Sequence, residues 1–222
     1  MGRLISGLLD LLFPPKCAFC RRLVKSNNNL LCPACRANLP YTEDGGAQHG
    51  DFFRLCISAL YYEDTVRQAL LRYKFQGSSG YAGTFGRLLA DCIRANLRGQ
   101  YDLISWVPLS RERLRERGYD QARLLAEALA RELNNPVLPL LEKRRDNPPQ
   151  SSLKSVGDRL TNVAGAYAVP DPAAVSGKRV LLTDDILTTG ATMEEGARVL
   201  LEAGAAQVVA AAFCKTPEKK KT

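Results

Sequence analysis

Val180-Leu181-Leu182-Thr183-Asp184-Asp185-Ile186-Leu187-Thr188-Thr189-Gly190-Ala191-Thr192 joins an apolar run to two carboxylates and a hydroxyl-rich loop. The apolar residues read as a buried strand over 179–183, and Met193 to Ala203 continues as a helix through Glu194, Glu195, Ala197, Arg198 and Leu200. A tight turn from strand to helix presents unpaired N–H groups at the helix start, where the dipole also favours an anion. Thr188, Thr189 and Thr192 add hydroxyl donors, and Gly190 lets the backbone approach a ligand closely. Asp184 and Asp185 precede the loop, where carboxylates accept from vicinal ribose hydroxyls. Phosphate on the loop and diol on the carboxylates describe a ribose-5-phosphate site.

The stretch resembles the PRPP-binding motif of the type I phosphoribosyltransferases: apolar strand, two acids, two variable residues, then T-T-G-x-T. The resemblance implies that Asp184, Asp185, Thr188, Thr189, Gly190, Ala191 and Thr192 bind PRPP, with Mg²⁺ accompanying it. A plain buried strand and capped helix would account for Val180 to Leu182, but not for paired carboxylates followed by Thr-Thr-Gly-Ala-Thr.

Outward from this stretch the chain alternates strand and helix. Strands are expected over Leu55–Tyr61, Asp102–Val107, Val137–Leu141 and Gln207–Phe213; helices over Glu63–Phe75, Tyr81–Leu97 and Tyr119–Leu133. Such alternation predicts an α/β fold, a mainly parallel sheet flanked by helices with ligands beyond the carboxyl ends of the strands.

Cys17-Ala18-Phe19-Cys20 and Cys32-Pro33-Ala34-Cys35 form two C-x-x-C knuckles. Their spacing predicts a structural Cys₄ zinc site, with two disulfides as the alternative. Four thiolates leave no open position for water, and the short segment 16–40 needs metal ligation for stability. Cys56, Cys92 and Cys214 fall in apolar segments and read as buried small residues. The expected organisation is an N-terminal helix and zinc-ribbon-like element over 1–40, a linker over 41–54, a phosphoribosyltransferase-like domain over 55–216 and a basic tail over 217–222.

The net charge is +8, from 31 basic and 23 acidic residues, which suits an anionic ligand or nucleic acid. The run Leu4–Phe13 is too short to span a membrane and lacks a signal-peptide cleavage site, so a cytoplasmic protein is expected. Its stripe of Leu4, Ile5, Leu8, Leu9 and Leu12 suits docking on the protein's own body or, alternatively, on a partner or membrane surface. The only histidine, His49, lies in a Gly-rich linker and is expected in solvent, so chemistry needing a histidine base is poorly supported.

Three further loops carry candidate residues. Ser110-Arg111-Glu112-Arg113-Leu114-Arg115-Glu116-Arg117-Gly118 follows a strand; Ser110, Arg111 and Arg117 are the candidates for PRPP and its pyrophosphate, with a solvated charged face as the alternative. Lys143 to Ser155 is polar and Pro-broken, reading either as a lid over the ribose or as a basic rim. Arg72-Tyr73-Lys74-Phe75-Gln76-Gly77 interleaves cations and aromatics, so Arg72 and Lys74, with Arg144 and Arg145, are candidate DNA contacts; the aromatics suit core packing equally.

Together these pieces resemble the ComF family of competence-associated proteins, which includes gluconate-utilisation proteins of the GntX type. The matching segments are the Cys₄ knuckles, Tyr73-Lys74-Phe75-x-Gly77, Val107-Pro108-Leu109-Ser110, Arg115-x-Arg117-Gly118-Tyr119-x-Gln121-Ala122, Arg144-Arg145 with Gln150, Arg159-x-x-Asn162-Val163, and the PRPP motif. The family implies a zinc element, a phosphoribosyltransferase domain and a part in handling incoming single-stranded DNA, with competence and recombination proteins as partners. Many purine-salvage relatives carry an Asp base where this chain has Thr188, which cannot take a proton at neutral pH; Glu112, Glu116 and Asp120 are the substitutes. Two readings follow: a Mg²⁺-dependent phosphoribosyltransferase with an unknown acceptor, and a non-catalytic DNA- or protein-binding module that keeps PRPP or a nucleotide as effector.

Overall fold

A computed structural model describes residues 14–25, 29–145 and 164–217. The Leu4–Leu12 stripe, Gln150, Arg159, Asn162 and residues 218–222 lie outside them.

In chain order the helices are α1 (Pro33–Asn38), α2 (Asp64–Phe75), α3 (Tyr81–Asn96), α4 (Arg111–Arg117), α5 (Gln121–Leu133) and α6 (Ala191–Glu202). The strands are β1 (Cys56–Tyr61), β2 (Leu103–Trp106), β3 (Glu142–Lys143), β4 (Tyr167–Ala168), β5 (Arg179–Leu187) and β6 (Gln207–Lys215). Four of them form a parallel sheet in the order β1-β6-β5-β2, and β3 pairs with β4 as a small antiparallel ribbon.

Both faces of the main sheet are covered, as parallel sheets require. Alternate residues point to opposite sides. Leu181, Val209, Ala211 and Phe213 pack with α2, α3, α5 and the cysteine knuckles, whereas Val180, Leu182, Val208, Ala210 and Ala212 pack with α6 and the ribbon. The stripes Val66-Ala69-Leu70-Tyr73 of α2 and Ala122-Leu125-Ala126-Leu129 of α5 turn inward, as their spacing predicts.

Four local expectations need correction. The central strand does not stop at Thr183: β5 runs to Leu187, so Asp184 and Asp185 are strand residues, with Asp184 opposite Ala212 of β6. Val137–Leu141 is no strand; only an isolated bridge joins Val137 to Ile104, because Pro136 and Pro139 remove ladder donors on either side. The helix expected over Tyr119–Leu133 starts two residues later, at Gln121 after its Asp120 cap, and the arginine stretch before it forms a separate short helix, α4, closed by Gly118 at φ +76°. Finally, the Gly-rich linker is pinned: Tyr41 and Gln48 bridge to Leu60 and Cys56 of β1, and the Glu194 carboxylate accepts from the N–H groups of Asp51 and Phe52.

Candidate functional site

The first-half knuckle turns bring four cysteines together. Their sulfurs lie within 4.8 Å of one another. Four Zn–S bonds of about 2.3 Å put tetrahedral sulfurs a little under 4 Å apart, so the set fits zinc. Backbone N–H groups of Cys32 and Cys35 point at Cys17 Sγ (3.5 Å) and Cys32 Sγ (3.4 Å), and all four thiols are free of disulfides. Burial pushes the Cys17 thiol up, but N–H groups from Cys32, Cys20 and Phe19 outweigh it and bring the thiol down to about 7. Such N–H donation favours thiolate, the form that binds metal. Of the other cysteines, Cys56 and Cys214 are buried as expected, whereas Cys92 is only half-buried.

At the carboxyl end of β5, strand parity sends the two carboxylates opposite ways. Asp185, 3% exposed, turns towards α2, where its Oδ1 meets Lys74 Nζ at 2.7 Å. Asp184 turns towards the α6 side, and its Oδ1 accepts from the Asp185 N–H at 2.7 Å. Burial raises the Asp184 carboxyl well above the usual carboxylate range, and the Asp185 charge raises it further. One ammonium therefore serves two adjacent carboxylates, which leaves the pair short of positive charge or of hydroxyl donors. Asp185 Oδ2 is buried with no partner among the described residues. That donor set fits ribose hydroxyls or a hard cation such as Mg²⁺.

Beyond β5, Thr188-Thr189-Gly190 turns into α6. Gly190 sits at φ +82°, which an L-residue adopts only with strain. By helix geometry the first-turn N–H groups lack intrahelical partners; Ala191 N–H reaches only Thr189 Oγ1, at 3.5 Å. The linker comes close on the other side: Gln48 Nε2 lies 3.4 Å from where a Gly190 Cβ would stand. Nothing in the pattern around Gln48 marked it in advance, because the approach depends on the linker pairing with β1.

The loop after β2 supplies the third wall. Ser110 is buried and caps α4 by accepting from Arg113 N–H, whereas Arg111 is exposed on the first turn. Arg117 is half-buried, with its guanidinium 4.8 Å over the Phe75 ring. Burial lowers its pKa while the Asp185 charge opposes that. Phe75 itself is 64% exposed. Three separated motifs thus converge: Lys74 on Asp185, Phe75 under Arg117, and the Tyr73 hydroxyl donating to Gln121 O at 2.7 Å, with Tyr119 OH donating to Tyr73 O. Two of these motifs leave buried polar atoms without a partner among the described residues: Arg117 Nη1 and Gln121 Oε1 on one, Asp185 Oδ2 on the other. Buried groups of this kind are rare unless something binds them.

The structure places Arg72 and Lys74 away from the open face expected of DNA contacts. Arg72 Nη2 donates to the carbonyls of Ala18 (2.8 Å) and Phe19 (3.0 Å), and Lys74 is held by Asp185. Arg144 and Arg145 are exposed, bonded to the Glu142 carboxylate and Ala164 O respectively. His49 is exposed, its Nδ1 2.7 Å from Arg54 O. Among the substitute bases, Glu112 and Glu116 stand exposed on α4, and Asp120 is engaged as the α5 cap, accepting from Leu109, Ala122 and Arg123 N–H groups.

Known proteins share this plan. A phosphoribosyl transferase domain model matches residues 120–222, and a double zinc ribbon domain model matches residues 8–51. Competence protein ComFC of Bacillus subtilis is 30% identical over 203 residues, covering 87% of this chain and 80% of that protein. The chain belongs to the ComF family. Other ComF-family relatives include competence protein F of Haemophilus influenzae, 28% identical over 87% of this chain and 93% of its own length. DNA utilization protein YhgH of Escherichia coli is 28% identical over 90% of each chain. Among solved structures, a glutamine PRPP amidotransferase from B. subtilis overlaps 64% of this chain and 30% of its own, with 22% identity and a TM-score of 0.44. The ComF assignment accords with the type I phosphoribosyltransferase architecture of the sheet and with structural zinc at the four cysteines. No helix among the described residues is long and apolar enough to cross a membrane.

Proposed function

We propose that this protein binds PRPP with Mg²⁺ at the carboxyl end of β5 and transfers its phosphoribosyl group to an acceptor during DNA uptake. The observation that carries the reading is the charge arrangement: two adjacent carboxylates, one of them paired with an ammonium, a hydroxyl-rich turn into α6, and a half-buried guanidinium at the end of α4. In this reading Asp184 and Asp185 hold the ribose diol, and Thr188 to Thr192 hold the 5′-phosphate through N–H and hydroxyl donors. Ser110, Arg111 and Arg117 face the pyrophosphate, and Arg117 Nη1 gains the partner it lacks. Bound Mg²⁺ would supply charge neutralisation for the departing pyrophosphate.

The relatives' names, competence protein and DNA utilization protein, support a part in natural transformation, which this reading sets in the cytoplasm. Thr188 offers no base, and Asp120 is committed to its cap, so the acceptor is one that needs no deprotonation by this loop. A second reading, a non-catalytic single-strand-binding or protein-binding module with PRPP or a nucleotide as effector, is favoured by the exposed Arg144 and Arg145 on the β3–β4 ribbon.

Calorimetric titration of the zinc-loaded protein with Mg²⁺ and PRPP tests the first reading. Binding is expected, and the Asp184→Ala/Asp185→Ala variant is expected to lose it; no binding to the unmodified protein sinks the PRPP site. Salt-sensitive binding of single-stranded DNA that survives in that variant and weakens on neutralising Arg144 and Arg145 would favour the second.

A further inference from the structure

Two features described separately meet on the last turn of α2. Arg72 donates from Nη2 to the carbonyls of Ala18 and Phe19, the two residues between Cys17 and Cys20. Two residues on, Lys74 puts its Nζ 2.7 Å from Asp185 Oδ1. We infer that metal bound by Cys17, Cys20, Cys32 and Cys35 positions Asp185 through Arg72 and Lys74, making the knuckle a positioning element for the carboxylate pair. The consequence for ligand binding rests on the PRPP reading above; the mechanical coupling does not.

Arg72 depends on that turn. The two carbonyls are held in place because Cys17 and Cys20 ligate one centre, and a short knuckle loses its order without metal. Arg72 Nε is already buried with no partner among the described residues, so losing the carbonyls strips the guanidinium of both acceptors. The turn also closes on Arg72 itself, since the Gln76 N–H caps α2 by donating to Arg72 O at 3.0 Å. Lys74 lies inside that closing turn, where helices fray first.

Other contacts fix the same face of α3 to the knuckle. Arg21 Nη1 donates to Tyr81 OH at 2.8 Å, Leu30 N–H donates to Thr84 Oγ1 at 3.0 Å, and the Phe19 and Phe85 rings lie 5.9 Å apart. These tie the knuckle to the body; among the described residues Arg72 is the side chain that hydrogen-bonds it to the turn that carries Lys74, beside the shared apolar packing of Tyr73. Lys74 and Arg72 are therefore positioning residues, acting on ligand through Asp185.

The test reads Lys74 directly. An amine-acylating reagent followed by peptide mass spectrometry reports how fast Lys74 is modified, with exposed Lys178 as the internal reference. In the zinc-loaded protein Lys74 should be protected by its ion pair. Removing zinc with a chelator should raise its labelling about tenfold relative to Lys178, the scale of losing one charged hydrogen-bonded contact, and restoring zinc should reverse it. Arg72→Met keeps the aliphatic stem and all four cysteines; it should retain its zinc yet show the same rise, and Arg72→Lys, which can still donate to both carbonyls, should recover part of the protection. Unchanged Lys74 labelling after zinc removal, or in zinc-retaining Arg72→Met, overturns the coupling. So does an equal rise at every lysine, which would mean general unfolding. If Arg72→Met fails to hold zinc, the reversible chelation result decides alone. The same samples titrated with Mg²⁺ and PRPP separate the two ideas. Failure of the zinc-loaded protein to bind sinks the PRPP reading while the labelling still decides the coupling. Binding that weakens together with Lys74 protection supports both.

Discussion

Asp184 is the residue at which folding and the proposed ligand binding pull in opposite directions. Its carboxyl is raised by burial and by the Asp185 charge, so the folded chain holds that proton more tightly than the unfolded chain does. A raised carboxyl lowers stability as pH climbs from its unfolded value of about 4 through its folded one, because the folded state must give up a proton it prefers to keep. The ligand-free protein should accordingly melt at progressively lower temperature across that window, and Asp184→Asn should flatten the slope and raise the neutral-pH melting temperature while removing Mg²⁺-dependent PRPP binding. Thermal unfolding across pH 5 to 9 checks this; a flat profile in the unmodified chain would refute it. The residue types at this site were readable in the chain, because adjacent carboxylates before Thr-Thr-Gly-Ala-Thr have no other ready explanation. Their partners were not. Lys74 lies far from Asp185 in sequence, and its neighbours Arg72 and Phe75 suggested a nucleic-acid face until the packing showed where each points.

Elements were legible where a period repeats and illegible where a proline or a long-range pairing decides. The stripes of α2, α3 and α5 emerged with nearly their observed bounds, since three or more turns of regular spacing outweigh local noise. Val137–Leu141 reads as a strand by composition, but Pro136 before it and Pro139 within it limit it to one bridge. The order β1-β6-β5-β2 cannot be read from period at all. Within α3, Phe85 is the side chain on which several elements meet: it stacks on Phe213 of β6 at 4.1 Å and contacts Phe19, Tyr73 and Tyr81. Phe85→Ala should destabilise by roughly 3–5 kcal/mol in urea unfolding, as for other large core aromatics. A loss under about 1 kcal/mol, the range of a well-tolerated swap, would show that this junction collapses around the gap.

At the scale of the molecule, the knuckles share one apolar cluster with α2, α3, α5 and one face of the sheet. Cys17, Ala18, Phe19 and Leu31 are buried in it, so the N-terminal element has no core of its own. The cysteine spacing announced a separate zinc element; that it would dock so closely was not written in any local pattern. Heating the zinc-loaded protein should therefore produce a single transition, and chelation should shift that transition as a whole. Two resolved transitions, one of them insensitive to chelator, would show that the phosphoribosyltransferase domain stands independently.

The placement of β6 between β1 and β5 sets a timetable for synthesis. β1, β5 and β2 all leave the ribosome before β6, yet β1 has no partner in the main sheet until β6 arrives. At about 5–20 residues per second, the nascent chain spends seconds with the hydrogen-bonding edges of β1 and β5 that β6 will cover still unpaired. During that interval the knuckles can already have bound metal, while the carboxylate pair waits for its scaffold. A premature stop before Gln207 would leave two open strand edges of the kind that recruit other chains, so the last strand of the sheet is also its guard against aggregation.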